Sequence, residues 1–197
     1  MSSTEPNTAI SHPDHPETEL PRRLEAGETA PDFVLPAVVP AQSDGTDDAA
    51  QSDATQRHAD REVSLSEVLA QGRRVVLYFY PAAMTPGCTT EACDFRDNLN
   101  RLSAAGVTVL GVSKDPLARL RRFAERDHLT FPLLSDPDLA LHRAYGAWGE
   151  KKLYGKVHVG VIRSTFVIEP DGRIAIARYN VRAKGHVASL MKALDLA

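Results

Sequence analysis

Val75-Val-Leu-Tyr-Phe-Tyr-Pro-Ala-Ala-Met-Thr-Pro-Gly-Cys-Thr-Thr-Glu-Ala-Cys93 holds both cysteines of the chain and the junction that decides its fold. Residues 75–80 are apolar and mostly β-branched or aromatic, the composition of a strand. Pro81 to Gly87 is turn material. From Cys88 a helical pattern runs to about residue 105, with Gly106 placed to end it. A thiol in the first turn of a helix faces unpaired backbone N–H groups and the positive end of the macrodipole. Both favour the thiolate, which is the reactive form. A second thiol, Cys93, follows on the same helix. This layout points to thiol redox chemistry.

Working outward, the downstream chain alternates strand and helix signals. Residues 107–112 form a buried strand, 116–127 a helix opened by Pro116, 131–134 a short strand and 137–145 a short helix. Strands at 164–168 and 174–179 flank Glu169-Pro-Asp-Gly172, a hairpin turn, and residues 184–196 close the chain with a helix whose apolar face carries Val187, Leu190, Met191 and Leu194. Upstream, residues 30–35 form a short strand, and a helix through about Gln71 is capped by Ser64 or Ser66. The pattern predicts one three-layer α/β domain over 23–197, with a central mixed β-sheet flanked by helices. Residues 1–22 are polar and broken by four prolines, a disordered tail. Residues 40–61 are acidic and poor in large apolar side chains, a flexible surface insertion.

Composition narrows the function. A net charge of −3 gives no basis for nucleic-acid binding. No apolar run reaches the roughly 18–20 residues that span a bilayer, and the first twenty residues lack the apolar core of a secretory signal. Two cysteines are too few for a disulfide scaffold, which places the protein in the cytoplasm, where a close pair is catalytic, redox-active or metal-binding. Seven scattered histidines show no compact ligand spacing, so no metal and no other cofactor is expected.

Pro81-Ala-Ala-Met-Thr85-Pro-Gly-Cys88 resembles the Pro-x-x-x-Thr-x-x-Cys signature of peroxiredoxins. The longer run Thr85-Pro-Gly-Cys-Thr-Thr-Glu-Ala-Cys93-Asp-Phe-Arg96 is similar to the Q-type branch, the bacterioferritin-comigratory-protein thiol peroxidases. Gly160-Val-Ile-Arg-Ser-Thr-Phe-Val-Ile168 resembles the family segment that supplies an active-site arginine, here Arg163. Residues 144–156, around Trp148, also resemble this branch, but a loop packing Trp148 on the core explains them equally well.

The resemblance implies a thioredoxin-like fold with peroxiredoxin additions and a division of roles. Cys88 would be the peroxidatic nucleophile, becoming a sulfenic acid as it reduces a hydroperoxide. Cys93 would be the resolving thiol, and thioredoxin or a similar dithiol reductant would reopen the disulfide. Thr85 would hold thiolate and peroxide through its hydroxyl, Pro81 would shield the cysteine, and Arg163 would supply fixed positive charge. The backbone N–H groups of Gly87 and Cys88 are further donors. An intramolecular cycle fits a monomer or weak homodimer. Two other readings stand beside this one: a dithiol–disulfide exchanger, which usually uses Cys-x-x-Cys, and a non-enzymatic interaction or holdase protein with inert thiols.

Ala82, Ala83 and Met84 stand where family members usually carry charge, so the loop is less polar than usual. A tilt toward organic or lipid hydroperoxides follows. Second-order rate constants should favour cumene hydroperoxide over hydrogen peroxide; equal constants would count against the tilt.

Overall fold

The computed structural model describes residues 22–41, 58–153 and 156–196. Along the chain the elements are β1 (Val34–Pro40), β2 (His58–Ser64), α1 (Leu65–Leu69), β3 (Arg74–Phe79), α2 (Pro86–Ala104), β4 (Val107–Ser113), α3 (Leu117–Arg126) and β5 (Leu133–Ser135). They continue with α4 (Ala140–Ala144), β6 (Trp148–Leu153), β7 (Lys156–Val161), β8 (Ser164–Ile168), β9 (Ile174–Tyr179) and α5 (His186–Ala193). Seven strands form one mixed sheet in the order β2-β1-β5-β4-β3-β8-β9, and β6 and β7 pair separately. The pairs β3·β4 and β4·β5 are parallel, while β1·β2, β1·β5, β3·β8 and β8·β9 are antiparallel. The expected mixed α/β sheet flanked by helices is therefore present.

Strand β3 shows why the sheet has two cores. Its residues are buried on both faces, so the strand reads as an unbroken apolar run rather than an alternation. Val76, Tyr78 and the following Tyr80 pack with Phe95 and Leu102 of α2, Leu120 and Phe123 of α3, and Leu190 of α5. Val75, Leu77 and Phe79 pack on the other face with Leu65, Leu141, Tyr145 and Phe166. Tyr78 stacks on Phe95 with ring centroids 4.6 Å apart, fixing α2 over the sheet. That contact sets the height at which the first turn of α2, with Cys88, stands above the end of β3.

Several expectations shift in position. The first strand runs over β1, further along than 30–35, because Pro36 and Pro40 lie within it and weaken its strand signature. Both ends of the segment expected as a flexible insertion, 40–61, are strand: Pro40 ends β1, and residues 58–61 open β2, opposite Ala37–Pro40. As an edge strand, β2 does not need an apolar pattern; its polar groups are bound instead, with Arg121 reaching both the His58 carbonyl (3.1 Å) and the Asp60 carboxylate (2.6 Å). The rest of the expected insertion, residues 42–57, and the expected tail through residue 21 lie outside the described residues. The β6–β7 hairpin replaces the loop read around Trp148, whose charged run gave no strand pattern. No helix among the described residues is long and apolar enough to cross a membrane.

Gly111 lies opposite Tyr78 in the β3·β4 register. A methyl group there would sit 2.8 Å from the Tyr78 hydroxyl oxygen and 2.9 Å from two ring carbons. Gly111→Ala should therefore displace a fully buried ring and lower stability by about 1–3 kcal/mol, measured by urea unfolding. An unchanged midpoint would show that the Tyr78 ring has room to swing aside.

Candidate active site

Helix α2 begins at Pro86, whose missing N–H costs nothing at a position with no acceptor to bind. Its first backbone bond runs from the Thr89 N–H to the Thr85 carbonyl at 2.8 Å. The N–H groups of Gly87 and Cys88 thus precede the helical ladder. Cys88 is a free thiol, 2% exposed, within the core cluster that holds Tyr78 and Phe95.

Arg163 arrives from the other side of the sheet junction, between β7 and β8. Its backbone is held at both ends of the turn: its carbonyl accepts from the Val181 N–H at 3.1 Å, and the neighbouring Ile162 N–H donates to the Ala147 carbonyl at 2.7 Å. The guanidinium is divided between two partners. Nη2 donates to Cys88 Sγ at 3.2 Å, and Nη1 donates to Glu91 Oε2. Glu91 is fully buried, one helical turn beyond Cys88, and its Oε1 has no hydrogen-bond partner. Burial pushes its carboxyl up to about 7, against the opposing pull of Arg163. Sulfur and carboxylate therefore compete for one fixed positive charge.

The loop between β3 and α2 is fastened from the side. The Ala83 N–H donates to Asp115 Oδ2 at 2.6 Å, and Arg119 Nη2 donates to the Ala83 carbonyl at 3.0 Å. Ser113 Oγ donates to the same Asp115 oxygen at 2.7 Å, and Arg119 pairs with the other oxygen at 3.2 Å. Met84 adopts the left-handed region with φ 65°, a conformation that non-glycine residues hold only where surroundings enforce it.

The expected residues divide into two groups. Cys88 and Arg163 are in direct contact. Thr85 stands immediately before α2, its hydroxyl donating to the Ala82 carbonyl at 2.9 Å. Pro81 is half-buried at the start of the same loop. Cys93 is apart from them, also free but half-buried further along α2, where burial pushes its thiol up. An offset of five residues in an intact helix separates the Cα atoms by nearly 9 Å, beyond the roughly 4.4–6.8 Å a disulfide allows. Glu91, Asp115 and Arg119 were not anticipated. Glu91 had a legible signal, since it follows Cys88 at helical spacing on a face otherwise filled by Ala92 and Phe95. Asp115 and Arg119 had none, because only the fold brings them under Ala83.

Residues 26–177 match the AhpC/TSA family. The chain belongs to that family. A putative peroxiredoxin of Mycobacterium tuberculosis is 49% identical over 174 residues, covering 88% of this chain and 97% of that one. The peroxiredoxin Bcp of Escherichia coli is 44% identical over 151 residues, with coverage of 77% and 83%. Among solved structures, the bacterioferritin comigratory protein of Xanthomonas campestris superposes with a TM-score of 0.63 at 39% identity, covering 68% of this chain and 84% of that one. Peroxidoxin BcpB of Mycobacterium tuberculosis gives 0.67 at 32% identity, with coverage of 88% and 97%. The protein is a peroxiredoxin of the Q-type, or Bcp, branch, with a thioredoxin-like fold and the activity of a peroxidase.

The buried Glu91 gives this peroxiredoxin a pH signature. With its carboxyl raised from 4.5 to about 7, the folded protein binds more protons than the unfolded chain between those values. Its contribution to stability is therefore fully present below about pH 4.5 and is lost as the pH rises through about 7. Glu91→Gln removes that titration. The stability difference between E91Q and wild type should move in favour of the variant by on the order of 2 kcal/mol between pH 5 and pH 8. Urea unfolding at both values measures it; a constant difference would mean Glu91 is already ionised at pH 5.

Proposed function

We propose that this peroxidase works as an atypical two-cysteine enzyme, and the observation that carries the reading is Arg163 Nη2 on Cys88 Sγ at 3.2 Å, at the open start of α2. The Cys88 thiolate attacks the terminal oxygen of a hydroperoxide. The S–O bond forms as the O–O bond breaks, and the leaving oxygen departs with a proton as water or an alcohol. Charge on that oxygen is stabilised by the Arg163 guanidinium and the Gly87 and Cys88 N–H groups. Thr85 has its proton committed to the Ala82 carbonyl, so its oxygen offers lone pairs to the O–H of the bound hydroperoxide. Pro81 narrows access of water to the sulfur.

Cys93 then attacks the Cys88 sulfenic acid, forming the S–S bond and releasing water. The spacing forbids this while α2 is intact, so residues 88–97 unwind in the oxidised state. A thioredoxin-type dithiol restores both thiols by exchange, which suits the reducing cytoplasm. Both thiols of the cycle come from one chain, so a monomer suffices and a weak homodimer is compatible. Neither a metal nor another cofactor is called on.

Intact masses after one equivalent of hydrogen peroxide test the roles. Wild type should lose two hydrogens, Cys88→Ser should not react, and Cys93→Ser should retain an added oxygen. An unmodified wild type would sink the cycle in favour of inert thiols. Arg163→Lys keeps the charge but not the two-armed geometry; it should slow Cys88 oxidation by about 10²-fold in stopped-flow measurements. Oxidation of wild type should also lower far-UV helicity, and Cys93→Ser should abolish that change.

A further inference from the structure

Helix α2 is tied to the rest of the molecule on two of its faces. On the first, Arg163 binds Cys88 and Glu91. On the second, roughly a third of a turn away, Thr89, Cys93 and Arg96 stand at positions i, i+4 and i+7, in line along the helix. That line meets the end of α3. Arg126 Nη2 donates to Thr89 Oγ1 at 3.0 Å, and Arg96 Nη1 donates to the Asp127 carbonyl at 2.6 Å. Among the described residues, these two bonds and the two of Arg163 are the only side-chain hydrogen bonds that join residues 88–97 to another element.

Cys93 sits between the two α3 bonds. After burial, the largest influence on its thiol is the charge of Arg96, which lowers it, and then that of Asp127, which raises it. The thiol is thus close to both partners of one bond. The α3 side is a fixed anchor. Phe123, Ala124 and Leu129 are fully buried, and the Leu129 N–H donates to the Ala124 carbonyl at 2.9 Å. Arg126 is steadied by Asp127 Oδ2, 2.6 Å from Nη2 and 3.0 Å from Nε. The Asp127 carbonyl closes the helix, where the macrodipole is negative and a cation is favoured.

The two faces respond differently to oxidation. Once Cys88 carries an oxygen, the Arg163 face has lost the thiolate, one of its two partners. That step leaves Thr89, Arg96, Arg126 and Asp127 untouched. The α3 contact is therefore undiminished at the moment when Cys93 has to leave it.

We propose that Arg96 and Arg126 form a clasp that times the release of Cys93, and so divides oxidised Cys88 between disulfide and over-oxidation. The inference rests on the two-cysteine cycle proposed above and assigns positioning residues to its second step. With the clasp closed, Cys93 stays on α2 and the sulfenic acid stays beside Arg163. A second hydroperoxide then gives it an oxygen: the sulfur is oxidised to a sulfinic acid, the O–O bond breaks, and the hydroperoxide leaves as water or an alcohol. With the clasp open, the Cys93 sulfur bonds to the Cys88 sulfur, and the sulfenic oxygen leaves as water with the thiol proton. Two half-exposed bonds of modest strength suit this role, since they delay opening without preventing it.

The test mixes reduced protein with hydrogen peroxide, quenches it, and follows sulfenic acid, disulfide and sulfinic acid by mass over time. Thr89→Val removes the acceptor of one bond but keeps the branched shape, and Arg126→Gln removes its donor. Each should speed disulfide formation roughly three- to fivefold and lower the sulfinic fraction at excess peroxide, with sulfenic acid formation unchanged. Unchanged disulfide rates would overturn the proposal. Because the two residues share one bond, the double variant Thr89→Val/Arg126→Gln should match either single variant; additive effects would overturn the direct contact. Arg126→Lys keeps a donor and should return most of the wild-type division. Arg122→Gln, at an exposed arginine of the same helix, should change nothing; an equal effect there would replace the clasp by general loss of charge. Hydrogen exchange of the 89–97 amides in the reduced protein tests the clasp without the chemistry. Thr89→Val, Arg126→Gln and Arg96→Gln should each speed that exchange by a similar factor, and unchanged exchange would overturn the proposal. Wild type that makes no disulfide would strike the two-cysteine cycle instead, and the exchange result would still judge the clasp.

Discussion

One guanidinium, shared between a sulfur and a buried carboxylate, is the interaction on which the site depends. Arg163 neutralises Glu91 and contacts Cys88 at once, so neither partner can move without changing what the other receives. Burying a carboxylate is costly unless it is paired, and the unpartnered Oε1 of Glu91 shows that the pairing is incomplete. The first turns of α2 are therefore held in place by an arrangement with little surplus. That suits an element that, in the proposed cycle, has to come apart and re-form each time a peroxide is reduced.

The remainder of the molecule supplies rigidity where the site needs it. Strand β3 is covered on both faces and delivers Tyr78 under α2, with Tyr80 just beyond it against Phe123 of α3, while β8 lies antiparallel to β3 and places Arg163 just beyond the same end of the sheet. The two halves of the site, Cys88 on a helix and Arg163 on a turn, come from positions 75 residues apart in the chain. They meet because β3 and β8 are neighbours in the sheet.

Much of this was legible in the sequence, and the reasons are local. The strand–turn–helix junction at residues 75–88 declared itself through apolar residues, two prolines and Gly87, and the hairpin of β8 and β9 through Glu169-Pro-Asp-Gly172. Arg163 was found by resemblance, since nothing in the residues alone distinguishes an arginine entering a strand from a surface one. β1 and β2 were misplaced or hidden because prolines and edge-strand polarity obscure the two-residue period. The β6–β7 ribbon lies outside the main sheet, so its residues carry no core pattern to read. Asp115 and Arg119 reach Ala83 only through the parallel pairing of β3 with β4, a long-range fact that no window of sequence contains.

The fastening of Ala83 has a consequence for how the enzyme spends its time. The 81–85 loop hangs from the Ser113–Asp115 corner and from Arg119 on α3, both outside the segment of α2 that the proposed cycle requires to open. Local unfolding of α2 therefore leaves its own docking edge standing. Re-formation becomes a short zippering onto a fixed template rather than a search for a new one, and the helix can return at the speed of local helix growth, which is on the order of nanoseconds per residue. The catalyst's idle time would then be set by the arrival of its reductant, not by reassembly of its own site.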